Sequence, residues 1–209
     1  MNFQGKKIID ISPMISEDIA VFPGDTPFQR NEVLNFKKSD NLVLSSINTT
    51  VHLGAHTDAP SHYNEKGISI EKVSLDNYIG DCQVIEICEK VERIRPDHFD
   101  DSIVAPRVLF KTKSYPNPYE WNNDFMAISP ELIDYLAEKK VTLVGIDTPS
   151  VDPANDKELL AHNAIYKAGM NIIEGIVLNK VNPGTYQLIA LPLPLKNGDA
   201  SPVRAILLE

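Results

Sequence analysis

Apolar residues recur along this chain with the short period of strands more often than with the longer period of helices. Alternating or near-continuous apolar runs predict strands with one or both faces buried. The predicted strands cover residues 7–11, 32–36, 42–53, 83–87, 107–112, 141–146, 170–178, 186–192 and 203–208. Among them, 42–53 (LVLSSINTTVHL) is rich in Thr, Ser and β-branched residues and leads into the most histidine-rich part of the chain.

Two segments have the helical period. Ser129 and Pro130 are the residue types favoured at an N-cap and at the first helical position, and the apolar stripe after them predicts a helix. A second helix is predicted from 156 to 167, with Gly169 as its stop signal. Many strands with few helices indicate a mixed α/β layer architecture and argue against a regular doubly wound fold. Because the chain has no repeat and no linker, we expect one domain over residues 1–209.

Composition and charge narrow the class of protein. The net charge is −9, the pI is about 5.0 and there is no basic stripe, which disfavours nucleic acid or an anionic membrane surface as the main partner. No apolar run approaches the about 20 residues of a membrane span, and the first residues lack a signal peptide's apolar core. We therefore expect a cytoplasmic protein. Both cysteines, Cys82 and Cys88, are expected to be reduced and buried.

Candidate chemistry is concentrated in residues 51–63 (VHLGAHTDAPSHY), which hold three of the five histidines, His52, His56 and His62, together with Asp58. Imidazole and carboxylate together suit Zn²⁺, Mn²⁺ and related divalent ions. Asp58 can supply an oxygen to one ion or bridge two. His62 is either another ligand or a free base poised near neutral pH. The alternative is a loop whose histidine rings are satisfied by ordinary hydrogen bonds.

The local sequence places these residues at the end of a strand. Gly54 breaks the strand predicted at 42–53, and Pro60 restricts Ala59 to an extended conformation. The pattern also differs from the helical HExxH of metalloproteases, because no Glu follows His52. We therefore expect the candidate ligands on a strand end that runs into a tight loop.

A second candidate group lies in the later half of the chain. Glu174 interrupts the apolar run MNIIEGIVL, where an unpaired acid would be costly to bury. His162 lies on the predicted helix that leads into that run. Each has an ordinary alternative, since Glu174 could face solvent or pair with Lys or Arg, and His162 could be a hydrogen-bonded helix residue. Together they supply the further imidazole and carboxylate that a two-metal hydrolytic centre needs.

Several segments resemble one known family along nearly the whole chain. They are IIDIS, VFPGDTPF, HLGAHTDAPSHY, GIDTPSVDP, the pair AHN and IIEGIVL, and LIALPLPL with DASPVRAILL. On these motifs the chain resembles the bacterial kynurenine formamidases (arylformamidases), a group of the metal-dependent cyclase-like hydrolases. The resemblance implies a homodimer and a compact α/β fold, with a mixed, largely antiparallel, barrel-like sheet flanked by a few helices.

The resemblance also implies the role of each site residue. Asp58 would bridge two ions, His162 would bind the second ion, Glu174 would contact both, and His62 would be the catalytic proton carrier. Phe22 stands where formamidases often have Trp, so it would pack on the aryl ring of the substrate. The implied metal ligands are His52, His56, Asp58, His162 and Glu174.

The implied reaction is hydrolysis of N-formyl-L-kynurenine to L-kynurenine and formate by a hydroxide formed at two Zn²⁺ ions per subunit, with Mn²⁺ as the alternative metal. His62 would give a proton to the departing aniline nitrogen. A different amide or cyclic-amide hydrolase, such as one that opens isatin, would use the same ligands and differ at Phe22 and at loop 115–123. A non-catalytic metal-binding protein and a purely structural cluster are the remaining alternatives.

Overall fold

The computed structural model describes residues 2–3, 5–100 and 102–209. Within these residues there are fourteen strands and three α-helices, joined in places by 3₁₀ turns at Phe36–Lys38, Ile70–Lys72, Leu75–Tyr78 and Pro96–His98. The strands are β1 (Asn2–Phe3), β2 (Lys6–Asp10), β3 (Gln29–Leu34), β4 (Leu44–Asn48), β5 (His56–Asp58), β6 (Ile79–Glu86), β7 (Arg93–Ile94), β8 (Arg107–Lys111), β9 (Ala127–Ile128), β10 (Leu143–Ile146), β11 (Asn171–Ile173), β12 (Gly184–Ile189), β13 (Ala200–Pro202) and β14 (Ile206–Leu208). The helices are α1 (Pro60–Tyr63), α2 (Pro130–Glu138) and α3 (Leu160–Ala168).

Eight strands form the main sheet, in the order β1-β2-β14-β12-β6-β8-β10-β11. Neighbours are antiparallel from β1 to β6 and parallel from β6 to β11. Three further pairs lie outside this sheet, namely β3 with β4, β5 with β13 and β7 with β9. The predicted mixed α/β class, with a large mixed sheet and few helices, is confirmed.

Both faces of the main sheet are covered, as successive side chains of β8 show. Leu109 enters one hydrophobic cluster with Tyr78 and Leu188, whereas Val108 and Phe110 enter a second cluster. This division follows from the alternation of side chains along a strand. The second cluster also contains the buried stripes of α2 and α3. The two cores therefore share one sheet between them.

The strand predicted at 42–53 is much shorter in the structure. β4 pairs with β3 in an exposed two-stranded ribbon, and the chain after it is irregular up to β5. The Thr50 hydroxyl accepts a hydrogen bond from the backbone N–H of His52 at 3.2 Å, and the N–H of Thr50 donates to Thr26 O at 3.0 Å. One local hydrogen bond and one to a distant segment thus take the place of strand pairing. His52 therefore lies on an irregular segment, whereas β5 carries the next two candidate ligands.

Two boundaries near the later candidate ligands also differ from the prediction. The strand expected at 170–178 is regular only in β11, because the left-handed conformation of Gly175 (φ 64°) ends it. The helix expected from 156 begins at α3 instead, because the Asp152 carboxylate accepts hydrogen bonds from the first N–H groups of α3. His162 therefore lies in the first turn of α3, and Glu174 directly follows β11.

The cysteine prediction is correct for one residue and wrong for the other. Cys82 is buried in β6, and burial raises the pKa of its thiol to about 12. Cys88 is exposed, because β6 ends at Glu86 and the chain then turns into solvent. Both cysteines are free. Among the described residues, no helix is long and apolar enough to cross a membrane.

A single domain over residues 1–209 stays a prediction, and the shared sheet provides its test. We expect Leu109→Ala and Phe110→Ala, which open cavities in the two different cores, each to lower the free energy of unfolding by about 2–5 kcal/mol. Because one sheet separates the cores, both variants should shift the same single urea transition, followed by circular dichroism and by tryptophan fluorescence. Val104→Ala, at a residue 67% exposed, is the control. Two separable transitions would contradict a single domain.

Candidate active site

The backbone first fixes where the two candidate groups meet. The N–H of His56 donates to the carbonyl of Glu174 at 3.1 Å, and the N–H of Glu174 donates back to His56 at 2.9 Å. On its other side β5 pairs with β13, where Asp58 lies opposite Ala200. Segments that are distant in sequence are thereby held side by side at the end of the main sheet.

The side chains then converge on two carboxylates. One oxygen of Asp58, Oδ1, lies 2.9 Å from Nδ1 of His52 and 3.6 Å from Nε2 of His56. The other oxygen, Oδ2, lies 3.3 Å from Nε2 of His162. Glu174 reaches the same two rings, with Oε2 at 3.2 Å from His56 Nε2 and Oε1 at 3.8 Å from His162 Nε2. The structure therefore brings together all five residues that the sequence predicted as metal ligands.

These atoms form two donor groups that share Asp58. The first is His52, His56 and Asp58, and the second is Asp58, His162 and Glu174, with the ligand atoms of each group within 4.8 Å of one another. The pattern of one carboxylate oxygen toward each group is the arrangement that a bridging carboxylate needs. The two groups could hold two divalent ions, or one ion at either group.

Electrostatics and hydrogen bonding support a cation at this position. Asp58 and Glu174 are 1% and 3% exposed, and among the described residues neither forms an ion pair with Lys or Arg. Asp58 Oδ1 is buried and accepts no hydrogen bond from the residues that the structure describes, although His52 Nδ1 lies 2.9 Å away. Two buried carboxylates surrounded by imidazole nitrogens are a donor set that fits Zn²⁺ or Mn²⁺.

The pKa shifts of His52, His162 and Asp58 arise from the attraction between imidazoles and carboxylates, which opposes the effect of burial. Burial opposes protonation of His52, but the Asp58 carboxylate and the hydrogen bond to Asp199 outweigh it and raise the pKa to about 9. For His162, burial is again outweighed, here by Asp152 and Asp58, and the pKa rises to about 10. Burial would raise the pKa of Asp58, but the neighbouring imidazoles hold it well below its usual range. The site therefore has a negative potential that favours a positive charge.

The second nitrogen of each ligand candidate is held by a different oxygen. His56 Nδ1 lies 2.9 Å from the carbonyl of Gly54, and His162 Nδ1 lies 2.7 Å from Oδ2 of Asp152. Asp152 is itself paired with Arg93 at 2.7 Å. Such outer partners fix the orientation and tautomer of a metal-binding imidazole.

His52 has the third outer partner, Asp199, whose Oδ2 lies 3.1 Å from His52 Nε2. Sequence reasoning missed Asp152 and Asp199 as site residues. Both lie within segments that carry the family resemblance, GIDTPSVDP and DASPVRAILL, but neither interrupts an apolar run in the way that Glu174 does. The sequence therefore offered no physical signal that separates them from ordinary loop aspartates.

His62 lies beside the donor groups without joining their carboxylates. It is carried by α1, its ring centroid is 4.2 Å from that of His52, and its nearest described carboxylate is Asp199 at 3.7 Å from Nδ1. Burial lowers the pKa of His62 and outweighs the opposing effect of Asp58. An imidazole whose pKa is lowered and which lies near two donor groups can accept or donate a proton.

A cavity of about 340 Å³ opens above these residues, and all six of the histidines and acids named in the sequence hypothesis line it. Its wall contains Phe22, whose ring meets Trp121 edge-on at a centroid distance of 4.9 Å. Tyr115 lines the same wall, 6.1 Å from Trp121. Loop 115–123, at which the alternative amide hydrolases are expected to differ, therefore lines the pocket. Among the described residues, the lining contains no Lys or Arg.

Comparison with known proteins places this architecture in a family. The cyclase family model, described as "Putative cyclase", matches residues 9–153. Kynurenine formamidase of Bordetella petrii is 42% identical over 206 residues, which cover 98% of this chain and 99% of that protein.

Solved structures agree with this placement. A structure described as a potential metal-dependent hydrolase with cyclase activity has a TM-score of 0.83 and 30% identity, and covers 97% of this chain and 98% of its own. Isatin hydrolase A from Labrenzia aggregata has a TM-score of 0.81 at 23% identity, over 97% of this chain and 93% of its own, and shows the fold alone. The chain therefore belongs to the cyclase family of metal-dependent hydrolases, and within it to the kynurenine formamidases, as the sequence resemblance predicted.

Proposed function

We propose that this enzyme hydrolyses N-formyl-L-kynurenine, a linear aryl amide, to L-kynurenine and formate. The observation that carries the proposal is the pair of donor groups sharing Asp58 at the base of a cavity with an aromatic wall. The 42% identical formamidase supports the choice of substrate. A cavity of about 340 Å³ is within the size range typical of small-molecule sites.

The proposed cofactor is Zn²⁺, two ions per subunit, with Mn²⁺ as the alternative. His52, His56 and Asp58 would hold one ion, and Asp58, His162 and Glu174 would hold the other, with Glu174 also near His56. When bound, such ions lower the pKa of water and polarise a carbonyl oxygen. Imidazole and carboxylate ligands accept both metals, so availability contributes to the choice.

The chain's own residues bind the substrate and move the proton. Phe22 and Trp121 provide apolar surface for the aryl ring, which directs the formamide toward the donor groups. Phe22 lacks the indole of the Trp often found at its position, and Trp121 supplies an indole to the same wall. The indole N–H of Trp121 donates a hydrogen bond to Asn123 Oδ1 at 2.7 Å, so Trp121 offers packing surface rather than a donor to the substrate.

His62 is the proposed proton carrier. Expulsion of the aniline requires a proton on its nitrogen, because an anilide anion is a poor leaving group. His62 is the site histidine whose pKa is lowered, and it is partly exposed, with 36% of its side chain accessible. It can therefore take a proton from the water that attacks the formyl carbon and pass that proton to the amide nitrogen.

A cyclic-amide hydrolase is the second candidate. The observation that favours it is the absence of Lys and Arg from the described lining, because the amino-acid carboxylate of N-formyl-L-kynurenine finds no cationic side chain there. A compact neutral amide such as isatin needs none. The isatin hydrolase of Labrenzia aggregata shares this fold at 23% identity. A non-catalytic metal-binding protein would need neither His62 nor an aromatic wall.

We also propose a homodimer, and the β3–β4 ribbon offers a surface for it. Its side chains include Val33, Leu44 and Ile47, which are 54%, 50% and 65% exposed, and Phe36 just after β3 is 65% exposed. An isolated two-stranded ribbon is at best marginally stable in water. A second copy covering these apolar side chains would stabilise it. The cytoplasmic location stays a prediction.

Turnover and metal dependence test the main proposal. We expect purified enzyme to form kynurenine from N-formyl-L-kynurenine, to lose this activity on chelation, and to regain it with Zn²⁺ or Mn²⁺, since the donor set suits both. Kynurenine absorbance is the readout, and isatin opening is measured in parallel. Turnover of isatin but not of N-formyl-L-kynurenine would reject the proposed substrate and retain the proposed active site. Turnover that does not depend on metal would contradict the metal centre.

Two substitutions separate metal binding from proton transfer. Glu174→Gln is expected to lower metal affinity by more than the about 10–100-fold typical of losing an outer partner, so that native mass spectrometry shows loss of bound metal, and to abolish turnover. His62→Ala should keep its metal and lose about 10²–10⁴-fold in kcat. Glu138→Gln and His98→Ala are the matched controls outside the cavity lining. Loss of metal in His62→Ala would show that this ring is a ligand rather than the proton carrier.

The dimer is tested by placing a charge on the ribbon. Wild-type protein should show twice the 23.3 kDa subunit mass in light scattering after size exclusion. Ile47→Asp should yield monomers, because a carboxylate in an apolar interface loses hydration without gaining a partner. Val104→Asp, at a similarly exposed residue, is the control. If Ile47→Asp remains a dimer, the β3–β4 ribbon is not part of the dimer interface.

A further inference from the structure

Asp199 occupies a position that the sequence did not mark. It directly precedes β13, and its carbonyl accepts a hydrogen bond from the N–H of Ala59 at 2.8 Å. The next residue, Ala200, lies opposite Asp58 in the pairing of β13 with β5. The backbone of Asp199 is therefore fixed against the strand that carries the shared carboxylate of the site.

The side chain of Asp199 reaches two functional rings with one atom. Its Oδ2 lies 3.1 Å from Nε2 of His52 and 3.7 Å from Nδ1 of His62. The two ring centroids are only 4.2 Å apart. Asp199 therefore contacts a predicted metal ligand on its outer side and the predicted proton carrier at the same time.

The outer partners of the other two ligand histidines do not have this double contact. His56 is held by the carbonyl of Gly54, and His162 by Asp152, and neither of these oxygens forms a described contact with His62. Among the described residues, Asp199 forms no ion pair with Lys or Arg. Its side chain is 53% exposed, and its Oδ2 lies within hydrogen-bond distance of His52 and within ion-pair distance of His62.

We propose that Asp199 is a positioning residue that sets His52 and His62 together through a single carboxylate oxygen. Held at Nε2, His52 presents Nδ1 toward Asp58, which is the orientation that the first donor group requires. Asp199 Oδ2 lies 3.7 Å from Nδ1 of His62, a charge contact that favours one orientation of this cavity-lining ring. Asp199 thereby couples the geometry of the metal site to that of the proton carrier. This inference rests on the proposed function for its second half, the role of His62.

The primary test is Asp199→Asn, which keeps the shape of the side chain and removes its charge. We expect a fall of about 10–100-fold in Zn²⁺ affinity, measured by competition with a fluorescent chelator, as for loss of an outer carboxylate. At saturating Zn²⁺, kcat should fall while KM for N-formyl-L-kynurenine stays within about twofold, because Asp199 is not among the described residues that line the cavity and acts through His52 and His62. Asp10→Asn, at a half-exposed aspartate that also accepts side-chain hydrogen bonds, is the matched control.

A second variant separates the two contacts. In the His62→Ala background, Asp199→Asn should still weaken Zn²⁺ binding through His52, but should cause no further loss of kcat, because its effect on turnover acts through His62. A purely structural role would instead lower kcat by the same factor in both backgrounds. That result, or unchanged Zn²⁺ affinity in Asp199→Asn, would overturn the proposal.

A measurement on metal-free protein keeps the test independent of the substrate. In ¹H–¹⁵N correlation spectra of ¹⁵N-histidine-labelled protein, Asp199→Asn should shift the ring signals of His52 and His62 and leave that of His98 in place. Unshifted His52 and His62 signals would overturn the proposal whether or not the enzyme turns over N-formyl-L-kynurenine. Shifted signals and weakened Zn²⁺ binding without turnover of that substrate would retain Asp199 as the positioning residue and reject the proposed substrate.

Discussion

The exchange of two backbone hydrogen bonds between His56 and Glu174 is the constraint on which the site depends. It places a histidine of the first donor group and a carboxylate of the second at adjacent positions. The approach requires glycine, because a Cβ at Gly175 would lie 2.1 Å from the carbonyl of Gly54. The left-handed conformation of Gly175 then turns the chain away. A side chain at that position would force apart the two backbones that carry the donors.

Charge is the second organising factor. Burying the carboxylates of Asp58 and Glu174 is unfavourable unless positive charge is nearby, and the described chain surrounds them with imidazoles rather than with Lys or Arg. An imidazole can give up its proton when a metal ion arrives, which a guanidinium cannot do near neutral pH. The chemistry of the neighbours thus keeps the site available to a cation.

Much of this could be predicted from the sequence where one local rule decided the outcome. The N-cap of α2 and the buried strand β10 follow from residue types and periodicity, and Glu174 was identified because an acid is costly inside an apolar run. The length of β4 could not be predicted, because the N–H of Thr50 donates to Thr26 O, which belongs to a segment distant in sequence. Asp152 and Asp199 were missed as site residues for a related reason. Their roles arise from which loops the fold brings together, and a single sequence does not carry that information.

One carboxylate links the site to the stability of the fold. Asp152 accepts hydrogen bonds from the first N–H groups of α3 and also orients His162 on that same helix. Any ligand that holds the ring of His162 therefore also restrains the first turn of α3, so local unfolding of the helix and release of the ligand become a single linked equilibrium. Arg93, paired with Asp152, extends this linkage to β7. A metal bound here would raise the unfolding temperature of the protein by an amount that grows with the logarithm of the free metal concentration above its Kd, and the same atoms would serve both catalysis and folding.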